Sequence, residues 1–191
     1  MKSKTTGREK IKRWNWLIKS LSALLSFIPK SACKILFNII SGMPTALGTL
    51  LRYVLIKRIA LSCGENIYIA RWCTFKNTNN LILGSNVSFH EYCFLDAIGG
   101  IEIGSDVSIA HSSSLISFDH TFNKNDTPFK YQDLSLKEIK LGSNIWIACG
   151  VRVLSGTYIE NNVVVAANAV IKGVILSGLY AGVPAMKKRD I

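Results

Sequence analysis

Three histidines are the side chains of this sequence best suited to move protons near neutral pH, because a free imidazole titrates close to that range. They are His90, His111 and His120. His120 follows Asp119 at a point where a regular repeat of the chain breaks off. A neutral imidazole there is able to take the proton from an attacking hydroxyl. We therefore interpret His120 as the candidate general base, with Asp119 as a neighbour that orients the imidazole or contacts substrate.

The cysteines give little support to a metal site or a disulfide framework. The five cysteines form no Cys-x-x-Cys pair and are odd in number. We expect reduced thiols, a cytoplasmic protein and no bound metal.

The positive charge is concentrated at one end of the chain. Residues 1–60 hold twelve of the 23 Lys and Arg residues and one of the 12 acids, whereas residues 61–191 hold equal numbers of both signs. The main domain therefore has no excess of basic residues, which argues against a nucleic-acid partner.

A helical rhythm marks the basic end. Apolar residues recur at steps of three and four over residues 8–30, from Ile11 and Trp14 onward, and Pro29 is predicted to end this helix. Two further apolar stretches follow, at Ile35–Ile40 and Leu47–Leu61. We define residues 1–60 as a basic amphipathic helical segment. Three roles stay open for it: contact with a membrane surface, a cap on the main domain, or contact with another subunit.

From about residue 63 the apolar period changes to six. Large apolar residues are spaced six apart in each of these frames: Ile69, Phe75, Leu81; Leu83, Phe89, Leu95, Ile101; Ile103, Ile109, Leu115; and Leu141, Ile147, Val153, Ile159, Val165, Ile171. Four positions after each large residue, small or β-branched residues predominate. The residue directly after the large one is often Gly or polar, and we interpret that position as allowing the chain to bend. Each unit is predicted to be a short strand and a turn, with three units closing one coil and stacked coils sharing a core. Residues 61–191 are thus an all-β domain, broken by one protruding loop, residues 116–140.

The segments LGSNVSF, IGSDVSIA and LGSNIWIACGVRV, followed by VVVAANAVIKG and YAGVPAMKKR, resemble the hexapeptide-repeat acyltransferases. With the segment DHTFNKNDTPFKYQ, the resemblance is to their sugar O-acetyltransferase branch, and it covers roughly residues 63–191. The resemblance implies a left-handed parallel β-helix, a homotrimer, and acetyl transfer from acetyl-CoA to a hydroxyl of a sugar in a surface glycan or its precursor. In that family the histidine at the position of His120 is the catalytic base.

Further site residues are assigned partly from the resemblance. His90 follows the inward Phe89, at the position of an acceptor-binding asparagine in relatives, and Asp96 lies at the next corner. Gln132 lies in the loop and only loosely matches the family's Pro-x-x-Gln pattern. With Asp119 these are the predicted substrate-binding residues. The resemblance implies that acetyl-CoA contacts small positions and nearby basic residues: Ala148, Cys149, Ala166, Ala167, Lys172 and Lys187.

Other functions remain open at this point. The chain is alternatively a trimeric scaffold or membrane-surface binder without catalysis, an acyltransferase that uses acyl carrier protein, or a γ-type carbonic anhydrase whose three histidines meet across subunits. Our hypothesis for location is the cytoplasm, at the inner face of the membrane, where a lipid-linked glycan is the acceptor.

Overall fold

The structure is a computed structural model that describes residues 15–191, so Ile11, Trp14 and the start of the predicted first helix lie outside the described residues. Three helices come first: α1 (Asn15–Ser26), α2 (Lys30–Ile39) and α3 (Thr45–Ile59). The prediction that Pro29 ends the first helix was wrong, because α1 ends at Ser26 and Pro29 precedes the first turn of α2. Proline is tolerated there because the first amides of a helix have no partner inside it.

The three helices form a cap over one end of the β-domain. Both α1 and α2 pack on α3, and α3 packs on the first two strands. The side chains of Leu55, Ile56 and Ile59 are fully buried, since α3 is covered by helices on one side and by the coils on the other. In the part of the chain that the structure describes, none of the helices has the length and apolar character needed to cross a bilayer.

Residues 62–189 form five coils of three short strands each and a partial sixth. Coil 1 contains β1 (Ser62–Cys63), β2 (Tyr68–Ile69) and β3 (Thr74–Lys76); coil 2 contains β4 (Leu81–Leu83), β5 (Ser88–Phe89) and β6 (Phe94–Asp96); coil 3 contains β7 (Ile101–Ile103), β8 (Val107–Ile109) and β9 (Ser114–Ile116). A hairpin of β10 (Phe118–His120) and β11 (Leu134–Leu136) follows. Coil 4 contains β12 (Ile139–Leu141), β13 (Ile145–Ile147) and β14 (Arg152–Val153); coil 5 contains β15 (Tyr158–Ile159), β16 (Val163–Val165) and β17 (Val170–Ile171). The partial coil contains β18 (Val174–Ile175) and β19 (Gly178–Ala181), and β20 (Met186–Arg189) returns along β19.

Equivalent strands of successive coils pair in parallel and build three sheets. Sheet A contains β1, β4, β7, β12, β15 and β18; sheet B contains β2, β5, β8, β13, β16, β19 and β20; sheet C contains β3, β6, β9, β14 and β17. Strand β20 pairs antiparallel with β19. Strand β12 pairs directly with β7, so the hairpin leaves the stack without interrupting it.

The residues predicted from the period of six to point inward are all buried, from Ile69 in coil 1 to Ile171 in coil 5. The smaller residues four positions later are buried as well: Val87, Cys93, Val107, Ser113, Val151, Thr157, Val163 and Ala169. Ser113 is accommodated because its hydroxyl donates to the carbonyl of Ala148 at 2.9 Å.

The glycines after the large apolar residues have a different role from the one expected. At Gly84 a Cβ would lie 2.6 Å from the carbonyl carbon of Gly104 in the next coil, so glycine is needed for the close stacking of coils. The left-handed turn conformation belongs to Asn86, at φ 59°. The side-chain Nδ2 of Asn86 donates to Asp106, and its Oδ1 accepts from Asn66. These two bonds link the same corner of three successive coils.

One corner of the prism carries the irregular segments. In coils 1 to 3, paired residues of sheet A lie 20 positions apart, as Ser62, Ile82 and Glu102 do. Between coils 4 and 5 the spacing is 18, from Lys140 to Tyr158, so the earlier coils are two residues longer. The longer connections run from sheet C to sheet A, at residues 77–80 and 97–100, and the hairpin leaves coil 3 at this same corner. The C–A corner of coils 1–3 is therefore the elaborated face of the domain.

Candidate active site

The hairpin is rooted at Ser117, a fully buried residue directly after β9. Its hydroxyl donates to the carbonyl of Asp96 at 2.8 Å and accepts from the amide of Gly99 at 2.9 Å. Its carbonyl accepts from the amide of Lys137, where the chain returns to coil 4. The hairpin therefore leaves the coils and returns to them at the same place, which is held by the hydrogen bonds of Ser117.

His120 is the last residue of β10 and pairs with Leu134 of β11. Its side chain is exposed, and its ring centroid lies 6.1 Å from that of Phe118 in an edge-to-face arrangement. Among residues 15–191, no side chain or carbonyl forms a hydrogen bond with the imidazole nitrogens. Both nitrogens are thus available to a bound substrate, as a general base requires.

Asp119 faces the body of the domain. Its carboxylate accepts a hydrogen bond from Ser155 Oγ at 2.6 Å and lies 3.4 Å from the ammonium of Lys172. The hydrogen bond from Ser155 is the largest cause that holds the pKa of Asp119 below its usual range, and the charge of Lys172 adds to it. The carboxylate is therefore ionised at neutral pH and directed away from His120, so its predicted contact with substrate has no support in the hydrogen bonds of this structure.

Gln132 closes the loop that follows His120. The side chain is almost fully buried, and its amide donates to the carbonyls of Lys124 and Thr127 at 2.9 and 2.8 Å. Its oxygen accepts from the amide of Lys124 at 3.2 Å. All of these partners belong to the loop itself. A contact between Gln132 and substrate stays a prediction, whereas its bonds here shape the loop.

The other two predicted acceptor residues lie at different corners. His90 is exposed at the end of β5, with its ring 5.8 Å from that of Tyr68. Asp96 is largely buried at the C–A corner, where its carboxylate accepts from Asn77 Nδ2 at 2.6 Å and from the amide of Ile98 at 3.3 Å. Asp96 thus lies at the root of the hairpin, and His90 does not.

Four of the six predicted acetyl-CoA contacts lie together. Ala148 and Ala166 follow paired strands of sheet B, and Cys149 and Ala167 come next in each coil. The amide of Ala148 donates to Val165, and that of Asn168 donates to Cys149. Together these residues form a narrow corner of small side chains between sheets B and C.

The two predicted basic contacts lie elsewhere. Lys172 is at the C–A corner against Asp119, and Lys187 is on β20, where its ammonium pairs with Asp190 at 2.6 Å. Their contact with acetyl-CoA stays a prediction. No group of three metal-ligating side chains lies close enough to hold an ion within residues 15–191.

No protein-family model matches the sequence. Among curated proteins, the chain is similar to the lipopolysaccharide biosynthesis O-acetyl transferase WbbJ of Escherichia coli (strain K12). The identity is 31% over 113 residues, which are 55% of this chain and 58% of that protein. The chain spans about half the length of the curated relatives it matches, 58% and 44% for two of them.

Solved structures extend the likeness over most of the chain. A maltose O-acetyltransferase from Clostridium difficile 630 superposes with a TM-score of 0.76 at 22% identity, covering 85% of this chain and 86% of that one. A hexapeptide-repeat-containing acetyltransferase from Vibrio cholerae O1 biovar eltor, complexed with acetyl-CoA, gives 0.74 at 19% identity, covering 83% and 85%. The chain has the hexapeptide-repeat acetyltransferase fold. The predicted fold class, a left-handed parallel β-helix with an N-terminal helical segment and one protruding loop, is confirmed.

Within this hexapeptide-repeat fold the candidate residues occupy two separate corners. His120, Asp119 and Asp96 belong to the C–A corner, whereas His90 and the small residues from Ala148 to Ala167 belong to the B–C corner. Sheet C separates the two, and six residues of extended chain span about 20 Å. In a single chain these two groups of candidate residues therefore lie at different corners of the prism.

Sequence reasoning missed two residues of the site, Ser117 and Ser155. Ser117 roots the hairpin and Ser155 binds Asp119, and both are fully buried serines next to strands. A serine at a corner of the repeat gives no signal of its own, since small polar residues are common there. Only the pairing of distant coils reveals these contacts.

Proposed function

We propose that this protein is an O-acetyltransferase that moves the acetyl group of acetyl-CoA to a hydroxyl of a sugar in a surface glycan or its precursor. The observation that carries the proposal is the exposed imidazole of His120, which has no hydrogen-bond partner within residues 15–191 and lies on a hairpin fixed to a rigid stack of coils. The fold shared with acetyltransferases and the similarity to WbbJ support acetyl transfer as the reaction.

The chemistry needs one proton acceptor at the reacting hydroxyl. A sugar hydroxyl is a weak nucleophile toward a thioester until its proton is removed as the new C–O bond forms. His120 takes that proton and returns it to the leaving thiolate of CoA, so acetyl passes directly between two bound substrates. When bound, acetyl-CoA supplies the activated acyl group. The small residues at Ala148, Cys149, Ala166 and Ala167 leave room for its narrow pantetheine arm.

A homotrimer is the assembly that fits these two groups of candidate residues. Because His120 and the small-residue corner lie on different edges of one protomer, a cleft between neighbouring protomers brings one of each together. A cyclic arrangement repeats this cleft three times. Sedimentation at micromolar concentration checks the assembly, and a monomer with full activity would refute it.

The test of the reaction is a screen of sugar acceptors with acetyl-CoA, following both thiol release and acetylated sugar. His120→Ala is expected to lower kcat by a factor of about 10² to 10⁴, the usual contribution of a general base. Asn125→Ala, an exposed polar residue of the same loop, is the control and should stay close to wild type. Unchanged acetyl transfer in His120→Ala would show that the base is assigned wrongly.

We further propose that the protein acts in the cytoplasm, docked to the inner face of the membrane through its helical segment. Large apolar side chains of α1, of α2 and of the turn between them face solvent: Trp16 is 69% exposed, Phe27 in the turn 87% and Ile39 73%. Residues 15–59 contain six Lys or Arg and no acidic residue. Exposed apolar side chains beside basic ones are typical of helices that lie in an anionic interface. The five free cysteines suit a reducing compartment.

Flotation with vesicles tests this docking. A Trp16→Ser/Phe27→Ser double variant should bind vesicles rich in anionic lipid at least about tenfold more weakly than wild type, since two interfacial aromatics are lost. Leu176→Ser, an exposed apolar position at the far end of the coils, is the control. Deleting residues 1–60 is a poor test, because Leu55, Ile56 and Ile59 complete the core. Equal flotation of all three proteins would refute the docking.

A further inference from the structure

The two adjacent residues of β10 have opposite surroundings. Successive side chains of a strand point to opposite sides, and here Asp119 points to the body of the domain while His120 points to solvent. Asp119 is bound by Ser155, which follows β14 in coil 4, and by Lys172, which follows β17 in coil 5. The strand that carries the candidate base is thus attached to two coils that come after it in the chain.

We propose that Asp119, Ser155 and Lys172 form a clamp that positions His120 for catalysis. This inference rests on the proposed role of His120 as general base. Asp119 is then a positioning residue that acts through the backbone of β10. It is not a proton relay, because its carboxylate is occupied by Ser155 and Lys172 on the side away from the imidazole.

The hairpin needs such an attachment. A two-stranded hairpin with three residues in each strand is marginal on its own in water. The root at Ser117 fixes one end, but the aromatic side chains Phe122, Phe129 and Tyr131 beyond it are exposed. Among the described residues, the clamp supplies the hydrogen bonds and the ion pair by which a side chain of β10 reaches the rigid coils. A displacement of a catalytic group by about 1 Å is enough to lower a rate by two orders of magnitude.

Within the clamp, the contact with Ser155 is the stronger. Ser155 is 1% exposed and donates at 2.6 Å to a charged acceptor, whereas Lys172 and Asp119 are both partly open to solvent. Exposed ion pairs are weakened by water and salt. Asp119→Asn and Ser155→Ala are therefore expected to have larger effects than Lys172→Ala.

The first experiment measures the hairpin without using activity. Trypsin cleavage at Lys130 under native conditions should be about tenfold faster in Asp119→Asn and Ser155→Ala than in wild type. Asp133→Asn is the matched control, since Asp133 lies in the same hairpin loop and, among the described residues, its carboxylate pairs with Lys124 alone, at 3.0 Å, in an exposed contact. Cleavage rates equal to wild type in both clamp variants would overturn the clamp, whatever the enzyme does.

The second experiment asks whether the clamp acts through His120. Asp119→Asn and Ser155→Ala should lower kcat by about 10- to 100-fold with little change in KM for acetyl-CoA. The pH at which kcat falls on the acid side should not move, whereas loss of a proton relay would shift it. In a His120→Ala background, Asp119→Asn should cause less than about a twofold further loss, because the positioned group is already absent.

The outcomes separate the two proposals. A full additional loss in the double variant, or unchanged kcat in the clamp variants, would overturn positioning. If His120→Ala retains activity while cleavage at Lys130 still accelerates in Asp119→Asn, the attachment of the hairpin to the coils holds, whereas the assignment of His120 as base, and with it positioning for catalysis, fails.

Discussion

Arg52 joins the helical cap to the first coil, and its replacement should be strongly destabilising. The side chain is 2% exposed and lies on α3 without a carboxylate partner among the described residues. Its Nε donates to the carbonyl of Ile69 at 2.9 Å and its Nη1 to that of Met43 at 2.9 Å, with longer bonds to Ile40 and Ser41. Burial lowers the pKa of Arg52. The guanidinium is therefore bound by carbonyls of two elements: strand β2 of the first coil and the turn between α2 and α3 of the cap.

The expected loss for Arg52→Met follows from those bonds. Two short charge-assisted hydrogen bonds contribute about 1.5–3 kcal/mol each, or roughly 3–6 kcal/mol together. Removing a buried charge recovers part of this, so we expect a net loss of about 3 kcal/mol. For a chain of this size that lowers the melting temperature by about 6–12 °C.

Thermal unfolding followed by circular dichroism measures this loss. Arg71→Met, an exposed arginine near the same coil, is the matched control and should change stability by less than about 0.5 kcal/mol. Arg52→Lys keeps the charge, but a single ammonium does not reach both carbonyls in the same way, so a large part of the loss should remain. A loss below about 1 kcal/mol in Arg52→Met would refute the reasoning.

Three further predictions concern the core, the loop and a thiol. Ile147→Ala should lower the free energy of unfolding by about 2–5 kcal/mol in urea titrations, because the side chain is fully buried. Gln132→Ala should speed trypsin cleavage at Lys130 by removing the bonds that close the loop; an unchanged rate would contradict that role. Burial raises the pKa of the Cys63 thiol to about 11, so its alkylation at pH 8, followed by mass spectrometry, should be on the order of a hundredfold slower than that of a free cysteine. Equal rates would contradict the shift.

The sequence predicts the coils well because one physical requirement repeats in every coil. A narrow prism has room for one large apolar residue per side, so the types at positions such as Phe89, Ile109 and Ile147 report burial directly. The apolar frame shifts by two residues twice, from Leu81 to Leu83 and from Ile101 to Ile103. These shifts correspond to the longer connections at the C–A corner. Local spacing is sufficient wherever the structure is periodic.

The contacts of the site lie outside that periodic information. Asp119 meets Ser155 and Lys172 across 36 and 53 residues, and neither partner stands out by type. The resemblance to relatives linked Lys172 to acetyl-CoA, whereas in this chain its ammonium lies against a carboxylate. The end of α1 before Pro29 was likewise missed, because proline suits the start of a helix as well as its termination.

The two ends of the stack are the places at which a regular parallel arrangement of strands can add strands from another molecule. At the first coil, the carbonyl of Ile69 is taken by Arg52 and the amide of Trp72 by the carbonyl of Ser41. At the last, β20 runs antiparallel along β19, and the amides of Val170 and Ala185 are bonded across the final turn. Contacts within the chain therefore cover both ends of sheet B, so these backbone groups are not open to a neighbouring molecule. Truncation before Met186 would expose a parallel template, and filament formation is the hazard that such a shortened protein would face.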